Sequence, residues 1–318
     1  MMNNVNILLS ILKEEHIRLG PYTSRPILLM VSGGTDSALL PRIFSIANLG
    51  CPIHVFHVNY GLRGKDSDGD EEQVVAECNR LGLGHTVHRV RNMSRKNMEK
   101  EARDIRYSFV KNSFKDHIKV TAHHEEDQLE TIITRFMRGC SVYGYAGIDR
   151  LRKDLVWRPF LNVKKEVITN ATEELGIVPR IDHTNYDESI TRNWIRHNYM
   201  PDNVCSEYAD SLLRLSESCK ELKELIDRLS KPIFDKVKAD KGCILITYKD
   251  ISRDALEDPL VSKRLRDLVW NSAGLKPWSD EQYTSAMNLI YGRGKGATNI
   301  GSGQVLSWQN GVATIRSS

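Results

Sequence analysis

The sequence predicts an α/β chain: a parallel sheet flanked by helices, then a smaller, mainly helical domain with a terminal β-hairpin. Three observations predict it. Short apolar runs alternate with amphipathic stretches between residues 26 and 137, the pattern of βα units joined by right-handed crossovers. A glycine-bearing polar segment follows the first run and opens a helix. Beyond residue 205, long charged helical stretches replace the runs, and one Asn-Gly pair sits between alternating segments near the end.

The elements follow in order. Asn6–Leu19 reads as a helix, with Ile7, Leu8, Ile11 and Leu12 on one face. Pro26–Val31 is a strand apolar enough to be buried on both faces. A second strand spans Ile53–Val58, and the polar loop Arg63–Asp70 opens a helix to about Leu81. Thr86–Val90 is a third strand, Asn97–Phe114 a long helix, Ile118–Ala122 a fourth strand, and Glu125–Met137 the helix after it. Leu155–Pro159 is short and extended, and Val163–Leu175 is a helix closed by Gly176. Thr191–Tyr199, Ser206–Leu229, Leu256–Asn271 and Asp280–Tyr291 read as helices. Gln304–Trp308 and Val312–Arg316 flank Asn310-Gly311 as a hairpin. The domains are expected at 1–204 and 205–318.

Composition narrows the class. With 318 residues, the length suits about two domains. A net charge of +4, from 45 basic and 41 acidic residues, excludes a histone-like polycation but leaves a local basic patch open. No run approaches the roughly 20 apolar residues of a spanning helix, and Val5–Leu12 lacks the basic flank of a signal peptide. The six cysteines never fall as CxxC. They read as free thiols of a reducing compartment, so a cytoplasmic location is expected and no membrane partner. A homodimer stays open.

Ser32-Gly33-Gly34-Thr35-Asp36-Ser37 carries the strongest chemical signal. It lies between a buried strand and a helix, where amides and the positive helix end favour an anion. Two glycines let the backbone approach a phosphate closely. Ser32 and Ser37 add hydroxyls. Asp36, an anion itself, suits Mg²⁺ bridging phosphates. Walker spacing and G-x-G-x-x-G are both absent.

At this loop the sequence resembles the PP-loop ATP pyrophosphatases, which implies a Rossmann-like parallel sheet with a PP-loop and cleavage of ATP to AMP and pyrophosphate. Further segments resemble the tRNA(Ile)-lysidine synthetase family. His57-Val-Asn-Tyr-Gly-Leu-Arg63 resembles H-V-N-H-G-L-R, with Tyr60 in place of His. Asn97-Met-Glu99, Ala102-Arg103 and Arg106-Tyr107 resemble N-x-E…A-R-x-x-R-Y. Ala122-His-His124-Glu-Glu126-Asp127-Gln-Leu-Glu130-Thr131 resembles A-H-H-x-D-D-Q-x-E-T, with Glu126 in place of Asp. Its residues recur at helical spacing, so His124, Asp127, Glu130 and Thr131 can converge. Arg138-Gly139 resembles the family's R-G turn, and Arg158-Pro159 its R-P-L segment. Asp182–Asp187 with Arg192-Asn193-Trp-Ile-Arg196 resembles D-x-S/T-N-x-D…R-N-x-I-R. The resemblance runs in order over residues 27–200.

The resemblance implies a ligase that adenylates the wobble cytidine of a tRNA(Ile) with a CAU anticodon and joins free L-lysine to it, using ATP and Mg²⁺. It implies catalytic roles for Asp36, Arg103, His124, Asp127 and Glu130. ATP contacts are expected from Ser32, Gly33, Gly34, Thr35, Asp36, Ser37, His57, Arg106 and Arg138, with Asp36 on the metal. Asn97, Glu99, Glu126, Thr131, Arg158, Arg192, Asn193 and Arg196 are expected to meet tRNA or lysine, and the C-terminal domain to grip tRNA. Two alternatives remain at this point. One is a PP-loop tRNA thiolation enzyme, opposed by the missing CxxC. The other is a tRNA-binding homologue with altered activity, suggested by Glu126.

Overall fold

The computed structural model describes residues 3–90, 98–140, 142–178, 194–196, 198, 206–249, 251–292, 294–301 and 303–317. They fall into two compact units, Met1–Cys219 and Lys220–Ser318. The boundary expected between residues 204 and 205 lies outside the described residues. The division by contacts falls inside a long helix, α8 (Ser206–Phe234).

The first unit carries α1 (Asn4–Ile17), β1 (Ile27–Met30), α2 (Thr35–Ala47), β2 (Ile53–Asn59), α3 (Lys65–Leu81), β3 (Gly84–Arg89), α4 (Met98–Ser113), β4 (Ile118–Val120), α5 (Glu125–Met137), α6 (Val142–Tyr145), β5 (Val156–Trp157) and α7 (Lys165–Glu174). Its five strands are parallel in the order β3-β2-β1-β4-β5. β1 is central and every residue in it is buried. Strand alternation splits its side chains between two faces. Ile27 and Leu29 join Leu8, Leu40, Phe44 and Ile168 on one; Leu28 and Met30 join Phe56 and Val110 on the other. Each buried aliphatic side chain contributes about 1.5–3 kcal/mol, so truncating Leu29 would open a cavity on one face only. The short extended piece expected at Leu155–Pro159 is the fifth parallel strand, paired to Lys119 and Val120. Its Trp157 is fully buried and meets Phe44 edge-on.

The second unit is built on five antiparallel strands: β6 (Val237–Asp240), β7 (Cys243–Thr247), β8 (Lys295–Gly301), β9 (Gln304–Gln309) and β10 (Val312–Ser317). Their order is β6-β7-β10-β9-β8. The expected hairpin is β9–β10. Asn310 and Gly311 both have positive φ, 51° and 77°, as a two-residue type I′ turn requires. Three further strands extend this hairpin into a sheet. The helix expected over Leu256–Asn271 is broken, because Pro259 forces Asp258 into an extended conformation (ψ 123°). It becomes α9 (Arg253–Glu257) and α10 (Pro259–Leu265), followed by a π-helical turn at Arg266–Trp270. With α11 (Asp280–Gly292), these pack Trp270, Trp278, Tyr283 and Met287 against Ile244, Leu306 and Ile315. Among the described residues no helix is long and apolar enough to cross a membrane.

Candidate active site

Ligands of open α/β sheets bind beyond the carboxyl ends of the strands. Here β1, β2 and β4 deliver three polar segments to that end. The β1–α2 turn is residues 32–37. Ser37 Oγ accepts from the Ser32 amide at 3.0 Å and lies 2.9 Å from Ser32 Oγ. It also donates to the Gly34 carbonyl at 3.1 Å. These bonds close the turn on itself. Gly33 sits at φ +91°, and an added Cβ would lie 2.8 Å from Asp70 Cβ. Glycine is needed there twice, for the backbone angle and for the close approach. Gly34 caps α2 and, having no side chain, leaves the first-turn amides without a capping group of its own.

β4 and α5 bring the acidic segment onto this turn. His124 is almost fully buried, with Nε2 3.5 Å from both Asp36 Oδ2 and Asp127 Oδ2. These are ion-pair separations, longer than ordinary hydrogen bonds. Asp127 Oδ2 also accepts the His124 amide at 2.9 Å, tying the start of α5 to its own first turn. Burial alone would lower the His124 pKa; Asp36, Asp127 and Glu126 outweigh it, and the net shift is upward. Burial alone would raise the Asp36 pKa; His124, Lys165 and Arg196 reverse it, and the carboxyl stays ionised. Its Oδ1 is buried without a hydrogen-bond partner.

That orphaned oxygen fits a cation. Mg²⁺ usually takes one or two carboxylates and completes its shell with water and phosphate oxygens. Among the described residues no group of three or more His, Cys, Asp or Glu side chains could hold a metal, so a cation here relies on few protein ligands.

A cavity of about 600 Å³ opens beside the turn, lined by Ser32, His57, Asn59, Arg63, Asp70 and Arg106 among others. His57 Nδ1 lies 2.9 Å from the Val31 carbonyl, so it carries the proton and donates. Burial pushes the His57 pKa down. The ring is therefore neutral, and its buried Nε2, without a partner, is an acceptor. Arg63 is ion-paired to the nearly buried Asp70. Asn59 donates to Asp68 and to Glu71, at 3.1 and 2.9 Å, and Glu71 is held by Arg89 at 2.9 Å. Arg89 and Asn59 hold the Glu71 carboxyl down at about 2 against burial.

The other expected residues fall in different places. Thr35 begins α2, one residue before Asp36. Glu130 is buried and takes Arg196 at 2.8 Å from Nε and 2.6 Å from Nη2. Glu126 lies 3.8 Å from Lys165 Nζ. The Thr131 hydroxyl donates to the Asp127 carbonyl at 2.8 Å, within its own helix. Arg103 and Arg106 sit 5.0 and 5.5 Å from the Tyr107 ring; only Arg106 lines the cavity. Arg158 is buried and donates to the Asp149 carbonyl. Arg138 is exposed at the C-cap of α5, about 20 Å from the acidic start at 1.5 Å per residue. Asn97, Arg192, Asn193 and the side chain of Glu99 lie outside the described residues.

Sequence reasoning passed over Lys165, Asp70 and Glu71. Lys165 acts on Asp36 from the first turn of α7, far along the chain. Asp70 closes the polar loop expected over Arg63–Asp70, and Glu71 falls in the helix expected after it. The available signal was that the acids follow directly on Arg63 and on a strand ending at the ligand side.

A parallel sheet with a glycine turn at the end of its central strand, met there by a buried His–carboxylate cluster, defines a phosphate-loop nucleotide fold. The chain belongs to the PP-loop domain family, which matches residues 7–203. It is similar to the tRNA(Ile)-lysidine synthase of Chlorobaculum tepidum, 36% identical over 214 residues that cover 63% of this chain and 64% of that protein. It is also similar to the tRNA(Ile)-lysidine synthase of Clostridioides difficile, 29% identical over 273 residues, 81% of this chain and 58% of that one. The chain thus spans less than two thirds of the length of these curated relatives. Among solved structures, the U34-tRNA thiolase NcsA from Methanococcus maripaludis with its [4Fe-4S] cluster shares the fold. Its TM-score is 0.56 at 15% identity, over 70% of this chain and 80% of that one.

Proposed function

We propose that this protein is a tRNA(Ile)-lysidine synthase: a cytosolic ligase that uses ATP to join the ε-amine of L-lysine to C2 of the wobble cytidine in a CAU anticodon. The observation that carries the reading is the convergence of Asp36, His124 and Asp127, which brings the acidic start of α5 onto the phosphate loop. A site that only hydrolysed ATP would have no use for a second anionic wall. A site that must hold a cationic amine beside an adenylated base has one. Similarity to two tRNA(Ile)-lysidine synthases supplies the substrate class.

The chemistry divides between the segments. The residue 32–37 amides and hydroxyls cradle the phosphates of ATP, and the neutral His57 accepts from a nucleotide donor in the adjoining cavity. Mg²⁺ on Asp36 would neutralise charge on the departing pyrophosphate. The cytosine O2 attacks the α-phosphorus, an O–P bond forms and pyrophosphate leaves. His124 holds Asp36 ionised and in place throughout. The lysine amine, held between Asp127 and Glu130, then loses a proton to one of these two carboxylates and attacks C2, the C2–O bond breaks, and AMP departs. Arg196 fixes the Glu130 carboxylate in orientation. The cytosine must leave the anticodon stack to reach the pocket, and the chain from 205 onward grips the tRNA.

The test incubates the full chain with ATP, L-lysine and a CAU-anticodon tRNA(Ile). AMP release that requires tRNA, with lysine recovered in the tRNA, is the expected result. Asp36→Ala should lower the rate about 100- to 1,000-fold, the scale for removing one preorganised charge-stabilising group, with an unchanged circular dichroism spectrum. AMP release that requires tRNA while no lysine enters it overturns the reading.

A further inference from the structure

A second basic site lies away from the nucleotide cavity. A groove of about 500 Å³ runs between α4 and the β4–β5 edge, lined by Tyr107, Lys111, Lys115, Lys119, Lys153 and Asp154 among others. Residues 107, 111 and 115 recur every fourth position. The first two share one face of α4, and Lys115 continues the line into the turn before β4. Lys111, Lys115 and Lys153 are exposed.

Lys119 is different, being 7% exposed. Its ammonium has two long contacts, to the Lys115 and Asp154 carbonyls, both at 3.4 Å. Burial pushes its pKa down. A buried ammonium without a close carboxylate is costly unless something compensates it. Two acids line the groove: Asp154, chelated by Arg152 at 2.5 Å, and Asp104 on α4; Asp116, in the turn after α4, joins Asp154 in offsetting part of the push on Lys119. At the upper end, Arg152 and Arg103 lie 4.5 and 5.0 Å from the Tyr107 ring. The lining ammoniums thus run from Lys111 in the last turn of α4 through Lys115 in the turn after it to Lys119 on β4 and Lys153 before β5.

We propose that this groove binds the phosphodiester backbone of an RNA strand, with Lys119 as its buried anchor and Lys111, Lys115 and Lys153 as its rim. The inference rests on the tRNA reading and adds a contact surface outside the reacting pocket. An extended, sequence-neutral row of ammoniums suits a repeating phosphate, because phosphate contacts fix register while base contacts specify. The groove positions the tRNA and takes no part in the chemistry.

The test compares the wild-type chain with Lys111→Gln/Lys115→Gln/Lys153→Gln, whose side chains are exposed, and separately with Lys119→Met. For each, the tRNA Kd is measured across a salt series, and AMP release at saturating tRNA. The triple variant should bind tRNA at least about tenfold more weakly, and its log K against log salt slope should fall by about 2–3, since each lost phosphate contact removes 0.7–0.9. Turnover at saturating tRNA should stay unchanged. Lys119→Met should weaken binding in the same direction with a native circular dichroism spectrum. An unchanged Kd and slope in the triple variant overturns the proposal. So does weakened binding of inorganic tripolyphosphate alone with tRNA affinity intact, which would make the groove a small-anion site. Lysine transfer by the wild-type chain is read in parallel: its absence counts against the ligase reading, while the salt slopes judge the groove.

Discussion

The two units bury different things. In the first, the polar groups taken out of water include His57, Asn59, Asp70, Glu71, His124, Asp127 and Glu130, and these stand at or beside the carboxyl ends of β1, β2 and β4. In the second, the core is an apolar mass of Trp270, Trp278, Tyr283, Met287, Ile244 and Ile315, and its buried polar groups among the described residues are Ser230, Ser262, Arg266 and Gln304. Buried polar groups cost stability unless paired. The first unit carries that cost where a ligand must meet charge; in the second it falls on isolated groups inside the core, such as the unpartnered indole nitrogens of Trp270 and Trp278 and Gln304 Oε1. Both units have a large apolar core; only the first adds a buried polar cluster at one end of its sheet.

The largest expected effect tests the second unit. Trp270 is fully buried, with Trp278 and Tyr283 at ring separations of 5.2 and 6.5 Å. Trp270→Ala should cost about 3–5 kcal/mol. Hydrogen exchange should show peptides from 237–317 losing protection while those from 27–59 keep theirs. Equal loss in both would erase the contrast between the units.

The next effect falls on the loop. Gly33→Ala must hold a side chain at φ +91° against Asp70 Cβ at 2.8 Å. The backbone strain alone is of order 1–3 kcal/mol, and relieving the contact means moving Asp70, which pairs with Arg63. Thermal unfolding should report the strain, and ATP titration a weakened affinity. Unaltered ATP binding would show that the turn does not cradle phosphate.

A smaller effect separates the two cores by pH. His124 has its pKa raised in the fold, its neighbouring carboxylates outweighing burial. Its contribution is therefore full below its ordinary value of 6.5 and is lost as pH rises through the folded value. Wild-type stability should decline over that window, and His124→Gln should flatten the decline. A variant that keeps the wild-type slope would assign the pH dependence elsewhere.

The parallel sheet was legible because its strands are short apolar runs, and α5 was read as Glu125–Met137, the bounds it has in the structure. The convergence of Asp36 with His124 was half legible. Motif order placed both at strand ends, but nothing in the chain showed that Lys165 completes their surroundings. The helices and terminal hairpin of the second unit are legible in its sequence; the outer strands are not, because β6 is Val-Lys-Ala-Asp and β8 is Lys-Gly-Ala-Thr-Asn-Ile-Gly. The first alternates over only four residues, with Ala as one of its two apolar positions, and the second does not alternate. Both are edge strands, at the two ends of the order, held by backbone pairing more than by side-chain burial. In β8 the glycine has a packing reason: a Cβ on Gly296 would lie 2.5 Å from the Trp308 ring. Cys243–Thr247 does alternate in burial, and its apolar run was present in the sequence.

The smallest effect concerns the rim of the site, where a charged pair is only partly removed from water. Glu71 is nearly buried and its pKa is held down at about 2, first by the Arg89 hydrogen bonds, with Asn59 helping against burial. The Arg89 side chain is 74% exposed, so solvent screens much of the attraction. Glu71→Gln should cost no more than about 1 kcal/mol at pH 7. A depressed carboxyl pKa stabilises the fold fully above the ordinary value of 4.5 and loses that contribution as pH falls through about 2. Urea unfolding of wild type and variant should therefore differ at pH 7, converge as pH falls from 4.5 toward about 2, and show no such convergence in 1 M salt if screening has already removed the difference. A constant gap across the pH range would mean that Glu71 acts by packing against Asn59, and the site's rim would then resemble the second core more than the first.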